Sequence, residues 1–242
     1  ATDPTGVYLS AWARVEGLDR PTMERALYDD RTLVRMIGMR RTLFLEPLDL
    51  APVVLAATGP TIVARERRRV EGWLVEAGIA DPPGAWLARV EDETVVAIDK
   101  LGAGTAAELT KVVPDLAIQI PISVGKVYQG TVGVSTRVLF LLSMDGRITR
   151  GRPRGTWLSS QYRWEPMARW VAMRDLAAGH TEASAQAILV ERWLRAFGPG
   201  TIDDLRWWRG LRFAAIRRAF GTIATTEVAV DDGTVGLVLA DD

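Results

Sequence analysis

Cysteine is absent from this sequence, which excludes disulfides, thiolate metal sites and a cysteine nucleophile, and suits a cytoplasmic setting. Histidine occurs once, as His180 in a Gly-His-Thr turn ahead of a helix, where it reads as a surface linker residue. Without a second histidine the chain cannot supply a His-rich metal cluster, and no metal is expected. No apolar run is long enough to span a bilayer, and the start shows no secretory pattern, so no membrane partner is expected. Net charge is also lacking: 30 basic residues balance 30 acidic ones. Any nucleic-acid contact must therefore come from uneven placement of charge. Lysine is confined to Lys100, Lys111 and Lys126, so arginine is the default base and its abundance alone carries little meaning. The chain opens at Ala1 rather than Met, and further sequence upstream is expected.

What is present is a globular composition, 48% hydrophobic over 242 residues, enough for one large domain or two to three small ones. A first helix is expected over residues 4–15, and a second starts at Asp19 as N-cap with Pro21 in its first turn. The apolar runs 33–39 and 42–45, parted by Arg40 and Arg41, suit a hairpin. Residues 49–57 and 61–77 read as two connecting helices. The second carries Arg65, Arg67, Arg68 and Arg69, which spread around the helix among Glu66, Glu71 and Glu76 and read as a solvated face. Asp81-Pro-Pro-Gly84 marks a linker, and an amphipathic helix from about Trp86 to Leu101 follows it. Thr105 and Glu108 have capping-box spacing at the head of a helix ending near Val113. Residues 121–130 read as a loop.

The third stretch repeats the order. It has an amphipathic helix over 182–197, the Gly198-Pro-Gly200 break, a capped start at 201–204, and short helices over 205–208 and 212–220. A strand pair over 225–230 and 234–239 closes it around Asp-Asp-Gly. Trp207 and Trp208 are adjacent, so one of them is expected outside the core. Three passes of helices followed by a hairpin predict a mainly helical α+β chain of tandem winged-helix (helix-turn-helix) units with two-stranded wings, divided as residues 1–80, 81–170 and 171–242.

The most informative stretch is residues 133–164. It joins a very apolar helix to a hairpin that holds Arg147, Arg150, Arg152, Arg154 and Arg163 with no acid between them. In a winged helix the second short helix leads with its N-terminal residues, here Ser135, Thr136 and Arg137. Beyond them Val138 to Leu142 offer nothing to read base edges, so the helix is expected to be mostly buried and direct readout weak. The hairpin arginines suit phosphates or a minor groove, with Trp157, Tyr162 and Trp164 stiffening the hairpin or stacking. Arg212, Arg217 and Arg218 are weaker candidates for phosphate contact. Winged helices also serve as protein-interaction modules, and that alternative stays open.

The segments YLSAWARV, RTLVRMIGMRRTLF, GTVGVSTRVLFLL, GRPRGTW and RAFGPGTIDDLRWW, with the opening Ala1-Thr-Asp-Pro4, together resemble the bacterial winged-helix family that includes interstrand-crosslink DNA glycosylases. The resemblance covers essentially the whole chain. It implies three tandem winged helices and a C-terminal β-barrel-like domain, which is not expected within a sequence that reaches Asp242 just after its third wing. It also implies binding to double-stranded DNA and excision of alkylated purines, without a metal or organic cofactor. The family's catalytic motif is a pair of polar residues, Gln-apolar-Gln or Gln-apolar-Asp, immediately before the segment matching Asp3-Pro4. Here Ala1 matches the apolar position and Thr2 the second polar one; Asp3 is one residue on. Threonine has a hydroxyl where the family has an amide or carboxylate, so the implied catalytic residues are Thr2 and Asp3, and a DNA binder without base excision is the alternative.

Overall fold

The computed structural model describes residues 4–209, 213–230 and 233–242. Among them the chain is a mainly helical α+β structure with four separate two-stranded antiparallel sheets. Helix α1 (Pro4–Trp12) stops three residues short of the expected end. Asp19 caps α2 (Arg20–Glu24) as expected, accepting from the Thr22 N–H at 2.8 Å, and the chain continues as a π-helical turn over Arg25–Asp29. Strands β1 (Leu33–Ile37) and β2 (Leu43–Pro47) then pair around the Arg40–Arg41 turn.

The two connecting helices expected next are one, α3 (Ala51–Glu76), which runs through Pro60. Proline in a helix interior removes a hydrogen bond and costs about 3 kcal/mol. Packing overrides that cost, because α3 buries twelve residues, and each large apolar side chain removed from water contributes about 1.5–3 kcal/mol. Neighbours also tie the helix near the proline. Gln186 donates to the Ala57 carbonyl at 3.3 Å, and Gly59 lets the Met144 carbonyl approach where a Cβ would lie 3.2 Å from it.

Helix α4 (Pro83–Leu101) and helix α5 (Ala106–Val112) follow, the latter with the predicted capping box formed in full between Thr105 and Glu108. The expected loop over 121–130 contains a hairpin instead. β3 (Gln119–Ile122) pairs with β4 (Gly130–Gly133), leaving only 123–129 as connection. Ile120 is fully buried and anchors β3, while Pro121 is tolerated because a two-stranded sheet has only edges. Helix α6 (Val134–Met144) leads into β5 (Ile148–Arg150) and β6 (Trp164–Pro166). The remainder is α7 (Met173–Ala178), α8 (Glu182–Phe197), α9 (Ile202–Arg209), α10 (Phe213–Phe220), β7 (Thr225–Ala229) and β8 (Val235–Leu239). Trp207 is 74% exposed while Trp208 packs on Trp193, as their adjacency required.

Three large apolar clusters meet along α3 and α8. Val70 and Leu74 of α3 join α4, α5 and α6. The other half of α3 joins Val34, Met36, Met173 and Leu189. Val190, Trp193 and Leu194 of α8 then form the third with Leu205, Ile216 and Leu239. Among the described residues no helix is long and apolar enough to cross a membrane.

Candidate nucleic-acid interface

Helix α6 starts without a linker: Gly133 ends β4, and the Val134 N–H donates to the Ile118 carbonyl at 2.9 Å. Val138, Leu139, Leu141 and Leu142 are buried, as their apolarity predicts. At the N-terminal end only Thr136 is exposed, while Ser135 and Arg137 are half-buried. The Arg137 guanidinium lies 5.7 Å from the Trp73 ring centroid, and its buried Nε has no hydrogen-bond partner. Burial first, and the charge of Arg69 second, hold its pKa below the ordinary arginine value, although a guanidinium stays charged at any physiological pH.

The arginine hairpin is less a projecting ribbon than a long loop between two short strands. β5 and β6 share three residue pairs, and the connection over 151–163 is folded back on the N-terminal helices. Trp157 packs on Tyr8 at 5.1 Å and Trp12 at 5.6 Å. Arg152 pairs with Asp29 at 3.0 Å and Glu24 at 3.3 Å, and lies over the Tyr28 ring. Arg147 pairs with Asp92 at 2.7 Å and Arg154 with Glu108 at 3.4 Å. Acids distant in sequence thus reach three of the five arginines. Such exposed pairs are worth little and exchange readily for phosphate. Arg163 is exposed and donates to the Ala103 carbonyl at 3.4 Å. Arg150 is stacked on Tyr162 at 4.4 Å and near Trp164 at 5.5 Å, and burial lowers its pKa.

The loop therefore joins α1, and α1 follows directly on Thr2 and Asp3 in the chain. Those two residues lie outside the described residues, as does Arg212. Arg217 is exposed over the Phe213 ring at 4.3 Å, and Arg218 is exposed.

Sequence reasoning missed Arg35. It sits on β1 among inward-facing apolar residues and is 2% exposed. Its Nη2 donates to the Tyr28 hydroxyl at 2.6 Å, and its Nε and Nη1 are unpaired. A second guanidinium, that of the half-buried Arg150, lies within range of its charge, so two positive charges lie under the loop. The only signal in the sequence was an arginine at an inward strand position. A further group was read only as a solvated face and a turn: Arg40, Arg41 and Arg65 line a cleft of ≈ 810 Å³ beside α8 and α10.

A family model described as DNA glycosylase AlkZ-like matches residues 1–242. The solved structure of the Streptomyces sahachiroi DNA glycosylase AlkZ is similar, with a TM-score of 0.64 and 22% identity over 94% of this chain and 57% of that one. The chain thus spans little more than half the length of that protein, and at this identity the likeness is one of fold. No curated protein sequence matches the chain. With its whole described length matched by the family model, the chain belongs to the AlkZ-like DNA glycosylase family.

Proposed function

We propose that this protein binds double-stranded DNA and acts on it as a glycosylase, releasing an alkylated purine by cleavage of its N-glycosidic bond. The match of the family model to residues 1–242 carries this reading. In it the chain consists of three tandem winged helices, over 1–80, 81–170 and 171–242. The wing loop over 151–163 meets the phosphate backbone and Thr136 leads α6 towards the duplex. Anchoring of that loop on α1 by Trp157, with Arg152 tied to Asp29 just beyond α2, supports a single site in which DNA-holding arginines adjoin the segment bearing Thr2 and Asp3.

The chemistry asks little of the protein beyond placement. The bond from deoxyribose C1′ to the purine nitrogen breaks with its electron pair leaving on the base, which neutralises the positive charge that N7 alkylation put there. A water oxygen bonds to C1′ while its proton passes to the Asp3 carboxylate and on to solvent. The target nucleotide must leave the stack for its C1′ to be reached. Thr2 orients the water through its hydroxyl, and the Asp3 carboxylate stabilises the oxocarbenium-like transition state.

The direct test is incubation of the protein with duplexes carrying N7-alkylated guanine, with free base measured. Base release that drops in Thr2→Val is expected; absence of release at saturating binding leaves a DNA-binding protein without excision. Binding itself is expected to weaken with salt. Arg163→Gln is expected to reduce the slope of log K against log salt by about 0.9, and an unchanged slope would remove this arginine from the interface.

A further inference from the structure

We propose that Arg40, Arg65, Arg69, Arg137 and Arg218 form a track that holds the phosphodiester backbone of one DNA strand along α3, away from the wing loop. The proposal rests on the reading that the protein acts on DNA.

Placement comes first. Arg65, Arg69 and Trp73 are four residues apart, so they share one stripe of α3, with the two arginines about 6 Å apart along the axis. Arg67 turns elsewhere, to Glu91 at 2.7 Å. The stripe runs out of the ≈ 810 Å³ cleft that Arg40, Arg41, Arg65 and Arg218 line, over a floor that includes Ala57, Ile62 and Ala183. At its other end lies Arg137, which feels the charges of Arg69 and Arg41. The hairpin turn, α3, α6 and α10 thus each contribute positive charge to one continuous surface.

Compensation is thin. Glu66, 4% exposed, lies 3.0 Å from Arg41 and 3.3 Å from Arg65. Glu182 also lines the cleft, a carboxylate accepting from Thr61 and Gln186, so two carboxylates face the four arginines there. Arg40 and Arg69 lie over tryptophan rings instead of acids: Arg40 is 5.7 Å from the centroid of Trp207 and Arg69 is 4.7 Å from that of Trp73. Gathering like charges costs stability unless a polyanion spreads across them.

Two features suit a nucleic-acid strand. Arg40 and Arg41 occupy left-handed backbone, with φ of 55° and 59°, a conformation that non-glycine residues adopt at a cost and that here fixes both side chains at the cleft mouth. Trp207, 74% exposed beside Arg40, presents a flat face of the kind on which bases or sugars stack.

The test compares wild type with the Arg40→Gln, Arg69→Gln, Arg218→Gln triple variant by anisotropy of a labelled duplex over a salt series, with thermal melts confirming the fold. The track predicts a slope of log K against log salt reduced by about 2.7, and recovery when the same positions carry lysine. An unchanged slope in the triple variant, while Arg163→Gln weakens binding, overturns the track and leaves the DNA reading standing. Wild type that binds no duplex at low salt overturns both. Competition by polyglutamate as effective as by DNA of equal charge overturns the assignment to phosphodiester and points to an acidic protein partner.

Discussion

At the scale of single residues, two positions show how little freedom the packing leaves. Gly200 follows the break after α8, and a Cβ there would run into the Trp193 ring. Phe197 and Trp208 flank the indole at 6.2 and 6.0 Å, so moving the ring disturbs both contacts. Gly200→Ala is expected to cost about 1–3 kcal/mol by overpacking, read as a lower urea midpoint; an unchanged midpoint would mean the third core is loosely packed. Glu91 is a different case. Burial lifts its carboxyl above the ordinary value, against the opposing pull of Arg67. A group raised in the folded state holds its proton more tightly there than in the unfolded chain. Its contribution is therefore complete below the unfolded pKa and is lost as pH rises through the folded value. As pH rises above the ordinary glutamate value of about 4 the wild type should lose stability relative to Glu91→Gln, measured by urea unfolding at a series of pH values. The opposite trend would show that Arg67 outweighs burial.

At the scale of elements, α3 decides most of the fold. Its Pro60 is exposed, so Pro60→Ala restores a backbone donor without opening a cavity. The variant is expected to be more stable by about 1–3 kcal/mol, seen as a raised melting temperature; a loss would mean that the proline sets a bend which the flanking packing requires. The same proline explains why one helix read as two. Local signals identified caps and hairpins well: Asp19, Thr105 with Glu108, and the strands flanking Arg40 all sit where residue chemistry placed them. The β3–β4 hairpin escaped because its glycines and Pro121 look like loop, and only burial of Ile120 in a core built by distant helices makes it strand. The site was legible in residue type and not in partnership. Glu24, Asp29, Asp92 and Glu108 lie 46 or more positions from the arginines they meet, and no local pattern announces such pairs. Arg35 was hidden for the same reason, since its neighbours Tyr8, Tyr28 and Arg150 converge only through the fold.

At the scale of the whole molecule, a chain with no net charge still carries two arginine-rich faces, and both depend on helices that belong to more than one core. α3 divides its buried residues between the first and second clusters, and α8 divides its own between the second and third. A chain of this length does not unfold in one step by default. Sharing of two helices among three cores nonetheless couples them, because a core that opens strips partners from its neighbour. Calorimetry is therefore expected to show one transition whose calorimetric and van't Hoff enthalpies agree. Leu74→Ala, at a fully buried position of α3, is expected to cost about 2–5 kcal/mol and to move that whole transition downward. A second peak left in place by Leu74→Ala would mean that the third core melts alone, and that Arg218 can lose its place beside α3 while the wing loop keeps its own.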